Sequence, residues 1–287
     1  MINLNTEIIK DEDYIVVIGH RNPDVDSIVS SILVRNVLRD VGIKSDFAIF
    51  KDDYIKKSNF KNINDYIEDE PLVIEEESIS DYKYLLVDHN DVAQSIKDEN
   101  LVIGCIDHHI LTCSFASYYK DLGSCSLVIY DLFKEIYNFS EYEKKLIFYS
   151  FLSDTNYGRS SRYSEDDKNL IKELGYDTNY DDYFKKYFVE TKVTLENFKN
   201  NGYKDINING LLFESTYVNA KGSKGVDDYA SFIKGSDQNF IGLWSDVENM
   251  KTFCFIKLNK KFYEKEYDFI ASRAMDVIPY VASLIKI

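Results

Sequence analysis

Short apolar runs alternate with stretches of helical period through the first half of the chain. Tyr14 to Ile18 reads as a buried strand. Ser27 to Val41 carries apolar residues at helical spacing (Ile28, Ile32, Leu33, Val37, Val41) up to a stop at Gly42. A strand near Asp46 to Phe50, a helix over Tyr54 to Glu68, and strands ending at Val87 and Ile106 follow. Alternation of this kind predicts an α/β fold, with a mostly parallel sheet and helices on both faces. Helices at Ser124 to Tyr137, Ser140 to Leu152 and Ser164 to Leu174, the last ending at Gly175, complete a first domain. The polar stretch Met1 to Asp13 reads as an arm ahead of it. After a polar, weakly helical segment from Tyr180 to Asn201 come strand-like runs at Leu211 to Val218, Phe240 to Trp244 and Thr252 to Leu258, then a helix after Pro279. This predicts a smaller C-terminal α+β domain. The expected division is 1–188, a linker at 189–194, and 195–287.

Composition narrows the picture. The 287 residues are 45% hydrophobic with 23 Tyr and 18 Phe, enough for two real cores and too apolar for a disordered chain. A net charge of -15 argues against a nucleic-acid backbone or an anionic membrane as partner. A small phosphorylated substrate is compatible with that charge if metals and a few cations reverse the field locally. Acidic runs such as Glu68 to Glu70 and Glu75 to Glu77 read as solvated surface. Cys105, Cys113, Cys125 and Cys254 form no CxxC pair and read as reduced thiols. There is no basic start followed by a long apolar stretch, and no segment reaches the ~20 apolar residues of a membrane span. A cytoplasmic protein is expected.

The candidate chemistry sits where three of the first four predicted strands end. Gly19 to Ser27 places His20, Asp24 and Asp26 on a strand-to-helix turn, the part of an open α/β sheet where ligands bind. Turn chemistry explains part of this, since Pro23 stiffens the loop and Asp26 can cap the helix. On that stretch alone, capping and metal ligation compete evenly. The strand to Val87 then runs into Asp88-His89-Asn90, and the strand to Ile106 into Asp107-His108-His109. All four histidines of the chain therefore follow predicted strands with an aspartate within four residues. Parallel neighbours would gather these ends along one edge, and nitrogen and oxygen donors without thiolate suit manganese, cobalt, iron or magnesium. Asp154 ends an apolar helix, where an acid opposes the helix dipole unless a cation compensates it. Gly123-Ser124 precedes another helix and can offer backbone N–H groups to an anion, although such a pair ordinarily means no more than a cap.

The segments GHRNPDVDSI, VDHNDVAQSI, IDHH and SDT, in this order, resemble the DHH phosphoesterase superfamily and most closely its family II, manganese-dependent inorganic pyrophosphatases. The resemblance covers the whole chain, strongly over the first domain and thinly over the second. It implies that His20, Asp24, Asp88 and Asp154 hold one metal and that Asp26, Asp88, His108 and Asp154 hold another, with Asp88 and Asp154 bridging. The two divalent ions would be manganese, with cobalt or magnesium as alternatives. His109 resembles the family histidine that faces the substrate, and it and Asp24 are the catalytic candidates. Lys204, ahead of Asn209-Gly210, resembles a phosphate-binding lysine, and Ser272-Arg273 the start of the family's SRKKQ signature. Here the chain departs from the pattern. Ala274-Met275-Asp276 stands where the family has two lysines and a glutamine, and Ile110 stands where it commonly has arginine. Arg159 replaces a lysine of the loop after Asp154.

The activity so implied is hydrolysis of pyrophosphate, with His109 easing departure of phosphate, Lys204, Arg273 and Arg159 binding the substrate, and one domain closing on the other. His89 reads as a support that orients Asp88 or another ligand, and Asn90 and Asp107 as structural supports. A homodimer is implied. Two other readings compete: a diverged phosphoesterase of short polyphosphate or a nucleotide, prompted by the missing lysines, and a non-catalytic metal- or nucleotide-binding regulator.

Overall fold

A computed structural model describes residues 14–56, 70–188, 198 and 202–285. The arm expected at 1–13, the linker at 189–194 and most of the helix expected over 54–68 lie outside the described residues. The chain forms two compact units. The first runs through Asp154 and includes Ser164–Thr178; the second takes Thr155–Tyr163 and resumes at Asn179.

The first unit is built on six parallel strands: β1 (Ile15–Ile18), β2 (Ser45–Phe50), β3 (Leu72–Ile74), β4 (Lys83–Val87), β5 (Val102–Asp107) and β6 (Ser117–Tyr119). Their order is β3-β2-β1-β4-β5-β6. Central β1 pairs with both β2 and β4 and is buried along its whole length, as a strand covered on both faces must be. On one face Val16, Ile18, Phe50, Tyr84 and Leu86 pack with Ile79 and Ile96. Helix α1 (Val25–Asp40) lies on β1 and β2, and Ile28 and Ile32 meet Phe47 and Ile49 there. A short helix α2 (Lys51–Lys56) follows β2 directly. Helices α3 (Cys125–Phe133) and α4 (Glu141–Asp154) pack against α1, and α5 (Glu165–Glu173) completes the unit.

Helix α1 begins before the apolar period does, which corrects the expected cap. Asp24, in extended conformation, is the N-cap and accepts from Ser27 N at 3.0 Å. Asp26 lies in the first turn and is buried. The β3 and β6 edge strands, three residues each, were too short to carry a readable alternation.

The second unit is a five-stranded sheet of order β11-β10-β9-β8-β7, formed by β7 (Lys204–Ile208), β8 (Leu211–Ala220), β9 (Phe240–Asp246), β10 (Lys251–Leu258) and β11 (Lys261–Tyr267). Helix α6 (Asp181–Tyr187) belongs to this unit. Helix α7 (Val226–Gly235) makes the crossover that leaves β8 and β9 parallel, while the other pairs are antiparallel. It sits so close to the sheet that a Cβ on Gly242 would lie 2.0 Å from Ile233 Cδ1. The opposite face buries Ile241, Leu243 and Ile256 beneath a π-helical turn at Arg273–Val277 and helix α8 (Ile278–Ile285). No helix among the described residues is long and apolar enough to cross a membrane. All four cysteines are free thiols.

Glu143 ties α4 to its neighbours. Its buried carboxylate accepts from Ser140 N and Oγ, Tyr137 Oη and Asn36 Nδ2 at 2.7 to 2.8 Å, while Glu143 N donates to Ser140 Oγ, a capping box. Burial opposes its ionisation, but these donors outweigh it and lower its pKa. A lowered native pKa gives stability that is present above the unfolded value and lost as pH falls through the native one. Glu143→Ala should therefore cost about 1–3 kcal/mol at neutral pH. In urea unfolding, the gap to wild type should hold between about pH 7 and 5 and narrow progressively as pH falls below the ordinary glutamate value of about 4.3.

Candidate metal centre

Strand order places the site. The connections leave β1 towards β2 on one side, while β4 lies on the other, so the loops after β1 and β4 diverge at a topological switch point and open a crevice. His20 and Asp24 follow β1, Asp88 follows β4, and His108 and His109 follow β5. Asp88 has φ 61°, an uncommon conformation that an aspartate tolerates, and its N–H donates to Ile106 O at 3.1 Å. That bond locks the end of β4 onto β5 and turns the carboxylate into the crevice between the two imidazoles.

The six expected ligands converge in the first unit. His20 Nε2 lies 3.5 Å from Asp24 Oδ2 and 3.4 Å from Asp88 Oδ2. His108 Nε2 lies 3.2 Å from Asp88 Oδ1, 3.6 Å from Asp154 Oδ2 and 3.9 Å from Asp26 Oδ2. Asp88 thus offers one oxygen to each imidazole. Both rings are oriented from behind: Nδ1 of His20 donates to Arg21 O at 2.8 Å and Nδ1 of His108 to Leu122 O at 3.0 Å, which turns each Nε2 towards the carboxylates. Two donors on one ion, each about 2.1 Å from it and near a right angle apart, stand roughly 3 to 3.6 Å from one another. The spacing and the nitrogen and carboxylate donors fit divalent ions of the manganese, cobalt or magnesium type. Asp154, the last residue of α4, joins the cluster where the helix dipole alone would disfavour it.

The charges need such partners. Burial opposes ionisation of Asp88, but His108 and His20 outweigh it and hold its carboxyl well below the usual carboxylate range. Burial and the Asp88 charge push Asp26 up to about 7, against the pull of Ser150 and the Ser126 N–H. The first turn of α3 does bind an anion, and that anion is Asp26: Cys125 N reaches Oδ2 at 2.6 Å and Ser126 N reaches Oδ1 at 3.0 Å. Gly123 N donates instead to Asp167 Oδ1. Ser124 is the N-cap of α3, its hydroxyl accepting from Leu127 N at 3.2 Å, so Gly123-Ser124 is the cap that the sequence also allowed.

His109, half-exposed, donates from Nδ1 to Asp107 Oδ1 at 2.9 Å, leaving Nε2 for proton exchange. Burial raises the pKa of Asp107, but His109 and His108 bring it down to about 2. Asn90 donates to Asp107 Oδ2 at 2.6 Å and accepts from Thr112 N and Oγ1 at 2.8 Å, holding the loop that carries His109. The ring bonds of His89 reach neither Asp88 nor another of the six expected ligands, unlike the support expected of it. Its Nδ1 is bonded to Val87 O and its Nε2 to Ser95 Oγ, and burial lowers its pKa to about 4. Sequence reasoning missed Ser126 and Ser150, which support Asp26; the only signal was hydroxyls within otherwise apolar helices.

The three candidate substrate cations belong to the second unit. Arg159 pairs with Asp181 Oδ1 at 2.7 Å, its guanidinium carbon 3.9 Å over the Phe184 ring. Lys204 stands opposite Ser215 across the β7–β8 pair, and Arg273 Nη1 reaches Ser215 Oγ at 3.2 Å and Gly202 O at 2.8 Å. Ser215 is thus the strand partner of Lys204 and a side-chain contact of Arg273. Asp276 accepts from Ser161 Oγ at 2.6 Å and Ser272 N at 2.7 Å, which fixes the start of the π-helical turn.

Residues 14–153 match the DHH family, N-terminal domain. This part of the chain belongs to the DHH family. Beyond the DHH domain the likeness extends to whole proteins. The manganese-dependent inorganic pyrophosphatase of Methanocaldococcus jannaschii is 29% identical over 290 residues, covering 88% of this chain and 89% of the relative. That of Methanothrix thermoacetophila is 23% identical over 283 residues, covering 95% and 85%. A Methanococcus jannaschii crystal structure, assigned to the family II inorganic pyrophosphatases, shares the fold with a TM-score of 0.73 at 22% identity, over 94% of this chain and 98% of its own.

Metal removal and ligand loss should both register. Saturating the apo protein with Mn²⁺ to ~100 Kd should stabilise it by about 2.7 kcal/mol, read as a rise in melting temperature. Asp88→Asn, which removes the carboxylate that both imidazoles face, should lower Mn²⁺ affinity by at least ~100-fold in a direct titration.

Proposed function

We propose that the chain is a metal-dependent inorganic pyrophosphatase, hydrolysing pyrophosphate to two phosphates at the DHH domain's carboxylate and imidazole cluster. The convergence of His20, Asp24, Asp26, Asp88, His108 and Asp154 around facing imidazoles carries the reading. The names of full-length relatives support manganese as the metal, with cobalt or magnesium as the other candidates. A pair of divalent ions supplies, when bound, charge neutralisation for the phosphates and a water acidified towards neutral pH.

The chain's own residues do the rest. Asp88 and Asp154 hold the ligand set together, and Asp24 fixes the β1 side of the cluster. His109, its Nδ1–H fixed on Asp107, offers Nε2 as the proton donor to the leaving phosphate oxygen. Lys204 and Arg273 neutralise the outer phosphate, the guanidinium able to grip two oxygens; Arg159 is the third candidate for that role. The substrate is a small phosphorylated molecule, and the reading includes a cytoplasmic homodimer.

The decisive assay is phosphate release from pyrophosphate, tripolyphosphate and a nucleotide panel by Mn-loaded protein. Selective pyrophosphate hydrolysis is expected, whereas a loaded protein that leaves pyrophosphate intact would overturn the reading. His109→Gln should lower kcat by roughly 10²- to 10⁴-fold with Mn²⁺ affinity unchanged, which separates proton transfer from metal binding.

A further inference from the structure

We infer that Ser150 is a positioning residue that, together with the first turn of α3, leaves Asp26 a single oxygen lone pair and so fixes it as a one-oxygen ligand. The inference rests on the reading of Asp26 as a metal ligand. A carboxylate has about four lone-pair sites. Oδ1 accepts from Ser126 N at 3.0 Å and from Ser150 Oγ at 2.6 Å, and Oδ2 accepts from Cys125 N at 2.6 Å. The Ser30 hydroxyl, 3.5 Å from Oδ1, adds only a weak contact. Three sites are taken. The fourth is on Oδ2, the oxygen that faces His108 Nε2 at 3.9 Å.

The hydrogen on Ser150 is itself held in place. Ser126 Oγ donates to Ser150 Oγ at 2.9 Å, and Ser124 Oγ stands 3.0 Å from Ser126 Oγ. Since the one hydroxyl hydrogen of Ser126 is spent on Ser150, Ser124 is the donor in the last pair. The chain Ser124, Ser126, Ser150, Asp26 therefore polarises in one direction and ends on the carboxylate. Every member is buried, so water does not compete for these bonds.

Fixing one oxygen has a chemical consequence. Calcium commonly takes carboxylates through both oxygens and tolerates six to eight ligands, whereas smaller ions prefer regular octahedral sets. Ser150 thus tilts the site towards the smaller ion by denying two-oxygen chelation at Asp26. Loss of an outer partner of this kind typically costs ~10- to 100-fold in affinity.

The test is titration of the full-length apo protein with Mn²⁺ alone and Ca²⁺ alone, by calorimetry and by the electron paramagnetic resonance signal of free Mn²⁺. Ser150→Ala should lose about 10- to 100-fold in Mn²⁺ affinity, with a smaller loss or a gain for Ca²⁺, so that the ratio of the two narrows. Ser150→Thr, which keeps the hydroxyl, should restore the wild-type ratio. Ser126→Ala removes only the donor behind Ser150 and should shift the ratio in the same direction, which keeps the test decisive should Ser150→Ala fail to fold. An unchanged ratio in the alanine variants overturns the positioning role. Wild-type protein that binds no Mn²⁺ overturns the reading of the metal centre instead, a distinguishable result.

Discussion

Gathering carboxylates in one crevice is the constraint that the first unit is built to meet. Two like charges about 4 Å apart repel by roughly 4 kcal/mol at the effective dielectric near a protein surface, and more when buried. Asp88 and Asp26 both lie within 4 Å of His108 Nε2 and are almost inaccessible to water. Such an arrangement persists only if positive charge is brought to it. Three sources are on hand: the two imidazoles, the N–H groups at the start of α3, and the divalent ions that the donor set fits. The strand order supplies the first, since it is the divergence of the chain at β1 and β4 that lets His20, Asp88 and His108 meet.

Four of the six candidate ligands are also held from outside the cluster. The imidazoles are turned by backbone carbonyls, Asp26 by a helix terminus and a serine, and Asp88 by a left-handed backbone bonded to β5. Strain of that kind, of order 1–3 kcal/mol, persists only where the surroundings over-determine it. The paired β4 and β5 strands and the Asn90–Asp107 contact provide that over-determination. Rigidity of this degree fixes ligands before an ion arrives, so less ordering is left for binding to accomplish.

Much of this was legible in the chain because strand ends and metal ligands coincide in sequence. A strand written as an unbroken apolar run needs no tertiary information, and an aspartate and a histidine directly after it declare which end of the sheet they occupy. The role of Asp26 was not legible: from spacing alone it reads as a helix cap, and only the packing of α3 against α1 shows that it is itself the anion held by a helix terminus. His89 misled for the opposite reason. Its neighbour Asp88 points into the crevice while its own ring is consumed by Val87 and Ser95, a divergence set by one backbone angle that no residue pattern encodes. Edge strands of three residues and the β7, β11 and α7 elements of the second unit were unreadable because their apolar period is short or broken by charge.

The second unit shows how a departure from a family pattern can be structural as well as functional. Asp276 takes the place of a glutamine in the resembled signature, and its carboxylate closes the π-helical turn by accepting from Ser272 N and Ser161 Oγ. Asp276 therefore does local structural work that an uncharged amide would do more weakly, since a charged acceptor makes the stronger bond. The same charged pairing holds Arg159. Arg159 already faces the Asp181 carboxylate, so engaging a phosphate would require it to give up a charged partner. Arg273 Nη1 contacts Gly202 O and Ser215 Oγ, which places its guanidinium beside the strand position that pairs with Lys204.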